Sequence, residues 1–217
     1  LAWFSNTLRL PLGSEDGNAV TARHIMFAHG METWGFGWGD KQMNQDKSSP
    51  YYLGAWWPNA QPAFFFSPAK VKEPYRPLEF DPRYRLPMYQ AVFHDAVISS
   101  HHWNYDNLKF SDVKTTRSLL SQLYNTAPMF HLSRATLQAR LPQIKQADAA
   151  FRLLHQALWD KALIDFRWLD NAGWVQQTTF SDGSTLTANF GEQPFNGIAA
   201  QSLRAKLADG RILDYTP

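Results

Sequence analysis

The 217-residue sequence contains no cysteine. That removes disulfides, thiolate catalysis and zinc–thiolate sites together, and leaves the compartment open. Long hydrophobic runs are missing too. The richest, residues 63–66, lies between Pro62 and Pro68, far short of the roughly 18 residues a membrane-spanning helix needs. Charge of one sign is scarce. The 21 Lys and Arg against 19 Asp and Glu give a net +2, with no run of five or six basic residues, so no nucleic-acid partner is expected. There is no phosphate loop, nucleophile elbow or HExxH helix. Gly35-Phe36-Gly37-Trp38-Gly39 alternates glycines but lacks a strand-to-helix frame. The adjacent His101 and His102 lack the i, i+4 spacing of a helical zinc site. Neither a metal nor an organic cofactor is expected. The sequence starts at Leu1 with no initiator Met and no charged-then-apolar stretch. The expectation is an absent upstream segment: a removed signal, a trimmed end or a longer parent chain.

What is abundant is aromatic. Nine Trp, eight Tyr and fifteen Phe make up 15% of the chain and crowd into residues 34–66 and 93–103. Trp and Tyr join a large apolar face to a polar edge, which suits the C–H faces and hydroxyl rims of sugars. Trp34, Trp38, Trp103 and Tyr105 stand among Gly, Asn, Asp and His rather than in helical stripes, and are candidate sugar-stacking rings. The balance of 44% hydrophobic and 18% charged residues is that of a globular protein.

Periodicity organises the rest. A short apolar stretch from Leu8 ends in Gly13-Ser14-Glu15-Asp16-Gly17, a strand-to-loop pattern. Residues 19–28 read as a helix capped by Asn18, residues 30–62 as long irregular loops, and the proline-punctuated residues 70–87 as extended chain. Residues 88–98 form an almost continuous apolar run, the pattern of a buried parallel strand. Asp112 is placed to cap a helix over 113–124. Ser133 is placed to cap a second one reaching about residue 163, with a break or kink near Pro142. The period then switches to two. Residues 174–180 and 184–190 flank Asp182-Gly183, and 201–207 and 211–215 flank Asp209-Gly210, giving two hairpins. Mixed α/β chain thus yields to antiparallel β at about residue 165.

Three constellations could carry chemistry. Glu15 and Asp16 sit between glycines just after a strand, where α/β barrels gather their active sites. His94 and Asp95 interrupt an apolar run, where an unpaired carboxylate is costly; on a strand they face opposite ways, so one of them is expected in a polar site. His101-His102-Trp103-Asn104-Tyr105-Asp106-Asn107 offers hydrogen-bonding groups and rings on one loop. An acidic turn, a satisfied core pair and a capping loop are the bland alternatives for the three.

Leu12-Gly13-Ser14-Glu15-Asp16-Gly17, Phe27-Ala28-His29-Gly30 and Pro87-Met88-Tyr89-Gln90-Ala91-Val92-Phe93-His94-Asp95-Ala96-Val97 together resemble the α-glycosidases related to endo-α-N-acetylgalactosaminidases, glycoside hydrolase families 101 and 129 and their bacterial relatives. The run from Thr179-Phe180-Ser181-Asp182-Gly183-Ser184 to Ala188-Asn189-Phe190-Gly191 resembles the β domain that follows their barrel. The resemblance implies the C-terminal part of a (β/α)8 TIM-like barrel over 1–165 and a small antiparallel β-sandwich over 166–217. It implies a retaining α-glycosidase acting on oligo- or polysaccharides or glycoconjugates, with Glu15 as acid/base and the Asp nucleophile upstream of Leu1. Asp16, His29, Trp34, Trp38, His94, Asp95, His101, Trp103 and Tyr105 are the substrate-binding candidates. Asp16 competes with Glu15, whose reach is longer. The missing N-terminal part of the barrel, from the same or a separate chain, is the expected partner, and these residues alone are expected to be inactive. A periplasmic or secreted location is expected ahead of a cytoplasmic one. The alternative is a non-catalytic carbohydrate-binding or structural domain, which a complete gene starting near Leu1 would favour.

Overall fold

The computed structural model describes residues 1–15, 17–30, 68–71, 73, 76–102 and 106–217. Asp16, Trp34, Trp38, Trp103 and Tyr105 lie outside the described residues. Two sheets organise the rest. One is parallel, in the order β1 (Gly13–Glu15), β2 (Phe27–His29), β3 (Ile98–Ser99); the other is a five-stranded antiparallel sheet whose strands follow in chain order.

The parallel sheet is built from β–α–β steps. Asn18 caps the single turn α1 (Ala19–Ala22) through a capping box with Thr21, satisfying amides that a helix start leaves open. The helix expected over 19–28 is cut short at Arg23. The chain then extends, with Met26 N–H donating to the Leu12 carbonyl, and the Phe-Ala-His segment becomes β2. Gly17 is buried, and a Cβ there would stand 2.9 Å from the Ala28 side chain and 3.2 Å from the Tyr89 hydroxyl. A glycine is what lets the β1–α1 turn pass this close to β2.

The strand expected over 88–98 is instead α2 (Met88–Phe93), a turn, and the two-residue β3. Pro87, with no N–H to lose, precedes the helix. The pattern is helical when read by face. Gln90 and His94, four apart, are buried, while Met88, Val92 and Asp95 are exposed. A run of apolar letters concealed the period because its exposed positions are apolar too. Residues 76–84, expected as extended chain, hold a π-helical turn (Arg76–Phe80) and a 3-10 turn (Pro82–Tyr84) started by Asp81, whose carboxylate accepts from Arg83 N–H. Proline's fixed φ suits a first helical turn as well as an extended chain.

α3 (Lys114–Leu123) follows a 3-10 turn (Ser111–Val113) and has no side-chain cap. Asp112 is used elsewhere: it accepts from Val71 N–H and pairs with Arg76. α4 (Leu137–Leu158) starts after a Ser133–Thr136 turn closed by reciprocal hydroxyl bonds and runs through Pro142.

β4 (Leu163–Trp168), β5 (Val175–Phe180), β6 (Thr185–Asn189), β7 (Ser202–Lys206) and β8 (Ile212–Tyr215) form one meander. Both hairpins turn at the expected Asp-Gly pairs. Gly183 and Gly210 take φ of +89° and +86°, and Asp182 and Asp209 each accept the N–H two residues on. The registers Thr178↔Leu186↔Ala205↔Leu213 and Gln176↔Ala188↔Leu203↔Tyr215 place these residues on one face. That face packs on Leu119, Leu120, Leu123, Leu154 and Leu158 of α3 and α4. The expected two-sheet sandwich is therefore replaced, among the described residues, by one sheet backed by helices.

Candidate active site

The alternation of a strand sorts the parallel sheet into two faces. The registers Gly13↔Phe27↔Ile98 and Ser14↔Ala28↔Ser99 define them. Ala28 and Ser99 face the helix layer and are buried, with Ala22, Ile25 and Val97 around Ala28. The opposite face carries Phe27 and Ile98, still 36% and 43% exposed, and ends in Glu15, His29 and Ser100. The ladder continues past β3: Ser100 N–H donates to the Ala28 carbonyl, and Ala127 pairs with Ser100 in a further parallel bridge.

At the C-terminal ends of these strands four polar side chains converge. His102 Nε2 lies 4.0 Å from Glu15 Oε1, and the His29 and His102 rings stand 5.5 Å apart. His29 Nδ1 is 3.1 Å from Ser100 Oγ, and Ser100 Oγ–H donates to the His101 carbonyl at 3.3 Å. The serine hydroxyl thus ties the His29 ring to the backbone at His101, with the direction of the His29–Ser100 bond set by the imidazole tautomer. The Glu15 side chain is 61% exposed while that of His102 is buried. A carboxyl with reach and access thus stands beside a fixed imidazole, an arrangement suited to moving a proton to or from a ligand above the strand ends.

Three expected site residues lie elsewhere. Asp95 is exposed on the turn before β3, at the N-terminal end of the sheet, away from the strand ends that carry Glu15. The expected strand would have aimed it at the cleft; the helix turns it outward. His94 is buried between α2 and the β meander. Its Nδ1 is 2.7 Å from the Lys161 carbonyl, its Nε2 is 3.3 Å from Asn125 Oδ1, and its ring meets Phe180 edge-on. Burial holds His94 below the ordinary histidine range, against the raising pull of its Lys161 and Asn125 bonds. His155 shares the same Asn125 oxygen at 2.8 Å and is likewise pushed down, first by burial and then by His94. A neutral His94 that donates to Lys161 has only a lone pair at Nε2. Its neutral form therefore calls for the Asn125 NH2 to face the rings, and its protonated form for the oxygen. His101 points into the helix layer, where it lines a cavity of about 20 Å³ with Glu79, Arg117 and Ser121, room for a single water. The alternation that aims Ser100 and His102 at the site aims His101 away from it.

The loop bearing these histidines is anchored by Asp106, which is fully buried. Its carboxylate accepts from Leu108 N–H at 2.5 Å, His131 N–H at 2.6 Å and Arg140 Nη1 at 2.5 Å. Lys109, buried nearby, is lowered to about 8 by desolvation against the opposing pull of Asp106. Asp106 closes the polar-aromatic loop onto α4. Neither this clamp nor the Ser100–His102 pair follows from residue type; a period-two reading of residues 98–102 would have found the pair. Among the described residues no three His, Asp or Glu side chains group as metal ligands would.

The profile described as glycosyl hydrolases related to the GH101 family, GH129, matches residues 1–179. No curated protein sequence matches. Solved structures of alpha-N-acetylgalactosaminidase NagBb from Bifidobacterium bifidum are similar at 15% identity. The GalNAc complex gives a TM-score of 0.47 over 91% of this chain and 25% of that one. The ligand-free form gives 0.45 over 86% and 23%. The chain thus spans about a quarter of the length of these enzymes.

Proposed function

Since the chain belongs to the glycosyl hydrolases of family GH129, related to family GH101, we propose that it forms the C-terminal part of the catalytic barrel of a retaining α-glycosidase, with Glu15 as general acid/base. The observation that carries this reading is the position of Glu15: at the C-terminal end of a parallel strand, on the uncovered face, 4.0 Å from His102 Nε2. Chemistry in β/α barrels is placed at that end. A retaining glycosidase needs one carboxyl to protonate the leaving oxygen and a second, about 5–5.5 Å away, to attack the anomeric carbon. The second is assigned to a segment upstream of Leu1. That segment also supplies the strands that cover Phe27 and Ile98 and close a (β/α)8 barrel. Without it these 217 residues are inactive.

His102 orients Glu15 and exchanges the proton with it. His29, held by Ser100, lines the subsite beside it. The substrate is a saccharide of an oligo- or polysaccharide or glycoconjugate, met outside the cytoplasm. Trp34, Trp38, Trp103 and Tyr105 remain the proposed stacking rings, and Asp16 a further hydrogen-bonding group.

The test uses the full-length enzyme and a panel of aryl α- and β-glycosides. Glu15→Gln slows poor leaving groups by roughly 10²–10⁴-fold, the usual scale of general acid catalysis, slows activated aryl substrates much less, and allows azide to rescue the latter. Equal slowing of both classes without rescue removes Glu15 from the role.

A further inference from the structure

The outward face of the β meander is polar where its inner face is apolar. Gln177, Thr187, Arg204 and Asp214 are direct cross-strand partners on β5 to β8, and Thr185 pairs with Lys206 one step along. Of these, Gln177, Thr185, Thr187, Arg204 and Lys206 line a groove of about 220 Å³, walled by Leu169 and by the turn that bears Phe195, Asn196 and Ile198. It is smaller than the ~300–1,000 Å³ of drug-sized sites, a space for one small ring. α3 and α4 pack on the other face of this sheet, so the groove is separate from the strand ends that hold Glu15.

The groove is preorganised on every side. Arg204 is clamped to Asp214 by two parallel bonds of 2.7 and 2.8 Å, and Gln177 donates to Thr187 Oγ1 at 2.8 Å. The wall is a tight turn in which Phe195 and Ile198 exchange both backbone bonds around Asn196 and Gly197. Asn189 ties down its base, donating to the Gln193 and Ala199 carbonyls and accepting from Gly191 N–H. Binding to such a site spends little on ordering side chains or loop. Asp214 offsets the charge of Arg204, and the remaining groups are amides, hydroxyls and one ammonium. Planar amides and a guanidinium match adjacent hydroxyls through paired hydrogen bonds, and an aromatic wall takes an apolar C–H face.

We propose that this groove is a second, non-catalytic saccharide site, in which one sugar ring lies against Phe195 and is hydrogen-bonded by Arg204, Gln177 and Asn196. It would hold a distal unit of the substrate while another is cleaved at the strand ends. The ligand class rests on the glycosidase reading; the groove itself does not.

The experiment is a ligand-observed NMR titration of the full-length protein with N-acetylgalactosamine, beside aryl-glycoside assays of the same samples. Arg204→Ala and Phe195→Leu each weaken one binding phase roughly tenfold or more, the scale of a charged hydrogen bond, while hydrolysis of small aryl substrates is unchanged. Glu15→Gln leaves that phase intact. Thr187→Val, which leaves the Arg204–Asp214 clamp in place, weakens it as well, and thermal melts establish that each variant is folded. Binding, in one phase or two, that is indifferent to all three groove variants overturns the proposal. Groove binding in a protein that hydrolyses no aryl glycoside leaves the site standing and defeats the enzymatic reading instead.

Discussion

The parallel and antiparallel halves of this chain meet the same requirement, an apolar face that must be covered, in opposite ways. In the meander every strand pairs with its neighbour in sequence, and the inner face meets α3 and α4, both within the same chain. Phe180, Leu186, Ala188, Leu203, Ala205, Leu119 and Leu158 are all fully buried. In the parallel sheet the helix-facing side is covered, but Phe27 and Ile98 on the other are not, and Val20, Met88 and Val92 are exposed on the helices. Parallel strands need long crossovers and two covered faces; antiparallel hairpins need only a turn. The half that stands on its own contacts carries the proposed accessory groove. The half with the open face carries the proposed catalytic carboxyl.

Four measurements sharpen or break this contrast. The largest effect is expected at the clamp between the two halves. Asp106→Ala strips the carboxylate from Arg140 and from two backbone amides, and should cost about 3–5 kcal/mol in denaturant unfolding, as when one member of a buried ion pair is removed; a loss below about 1 kcal/mol would show the loop to be anchored otherwise. Next come paired truncations. Leu186→Ala in the meander should cost about 2–5 kcal/mol, whereas Ile98→Ala, already partly exposed, should cost well under half as much in these 217 residues. In the full-length protein the two costs should converge if the proposed upstream strands cover Ile98. Costs that stay apart there would mean the open face is never covered.

Acid should loosen the seam around His94 and His155. Both are held below their ordinary 6.5 by burial, so the unfolded chain binds more protons than the folded one once pH falls through about 6.5. Stability from this source is complete above that pH and is lost as pH drops toward the folded values. Each unit of depression is worth about 1.4 kcal/mol. Nitrogen-15 shifts should show His94 protonated on Nδ1 alone at pH 7, and Asn125→Leu should change the acid limb of the stability curve. A flat curve between pH 7 and 5 would refute the assignment. The smallest effect is Gly183→Ala, where a φ of +89° forces a side chain into a left-handed turn at about 1 kcal/mol.

The hairpins were legible because their information is local. Asp182-Gly183 and Asp209-Gly210 state the turn, and period-two letters on either side state the strands. Asn18 gave the start of α1, but nothing in residues 19–28 told where it would end. Met88 to Ile98 was misread for a definite reason. Its outward positions are Met and Val, so the letters carry no amphipathic period. That error carried Asp95 to the wrong end of the sheet and His94 into a cleft; the structure makes one a surface turn and the other a link to the meander.

What the sequence by itself determined is what depends on neighbours within a few residues: the absence of thiol chemistry, the change from mixed to antiparallel chain near residue 165, both hairpin turns, and a carboxyl at the end of a strand. What only the tertiary structure decided is which side chains meet across long separations. His29 reaches Ser100 and Glu15 faces His102 because three short strands align in parallel register. Asp106 meets Arg140, and Asn125 gathers His94 and His155, because helices far apart in the chain pack together. Such pairings are fixed by register and packing, which no single segment encodes, since each segment supplies only its half of the contact.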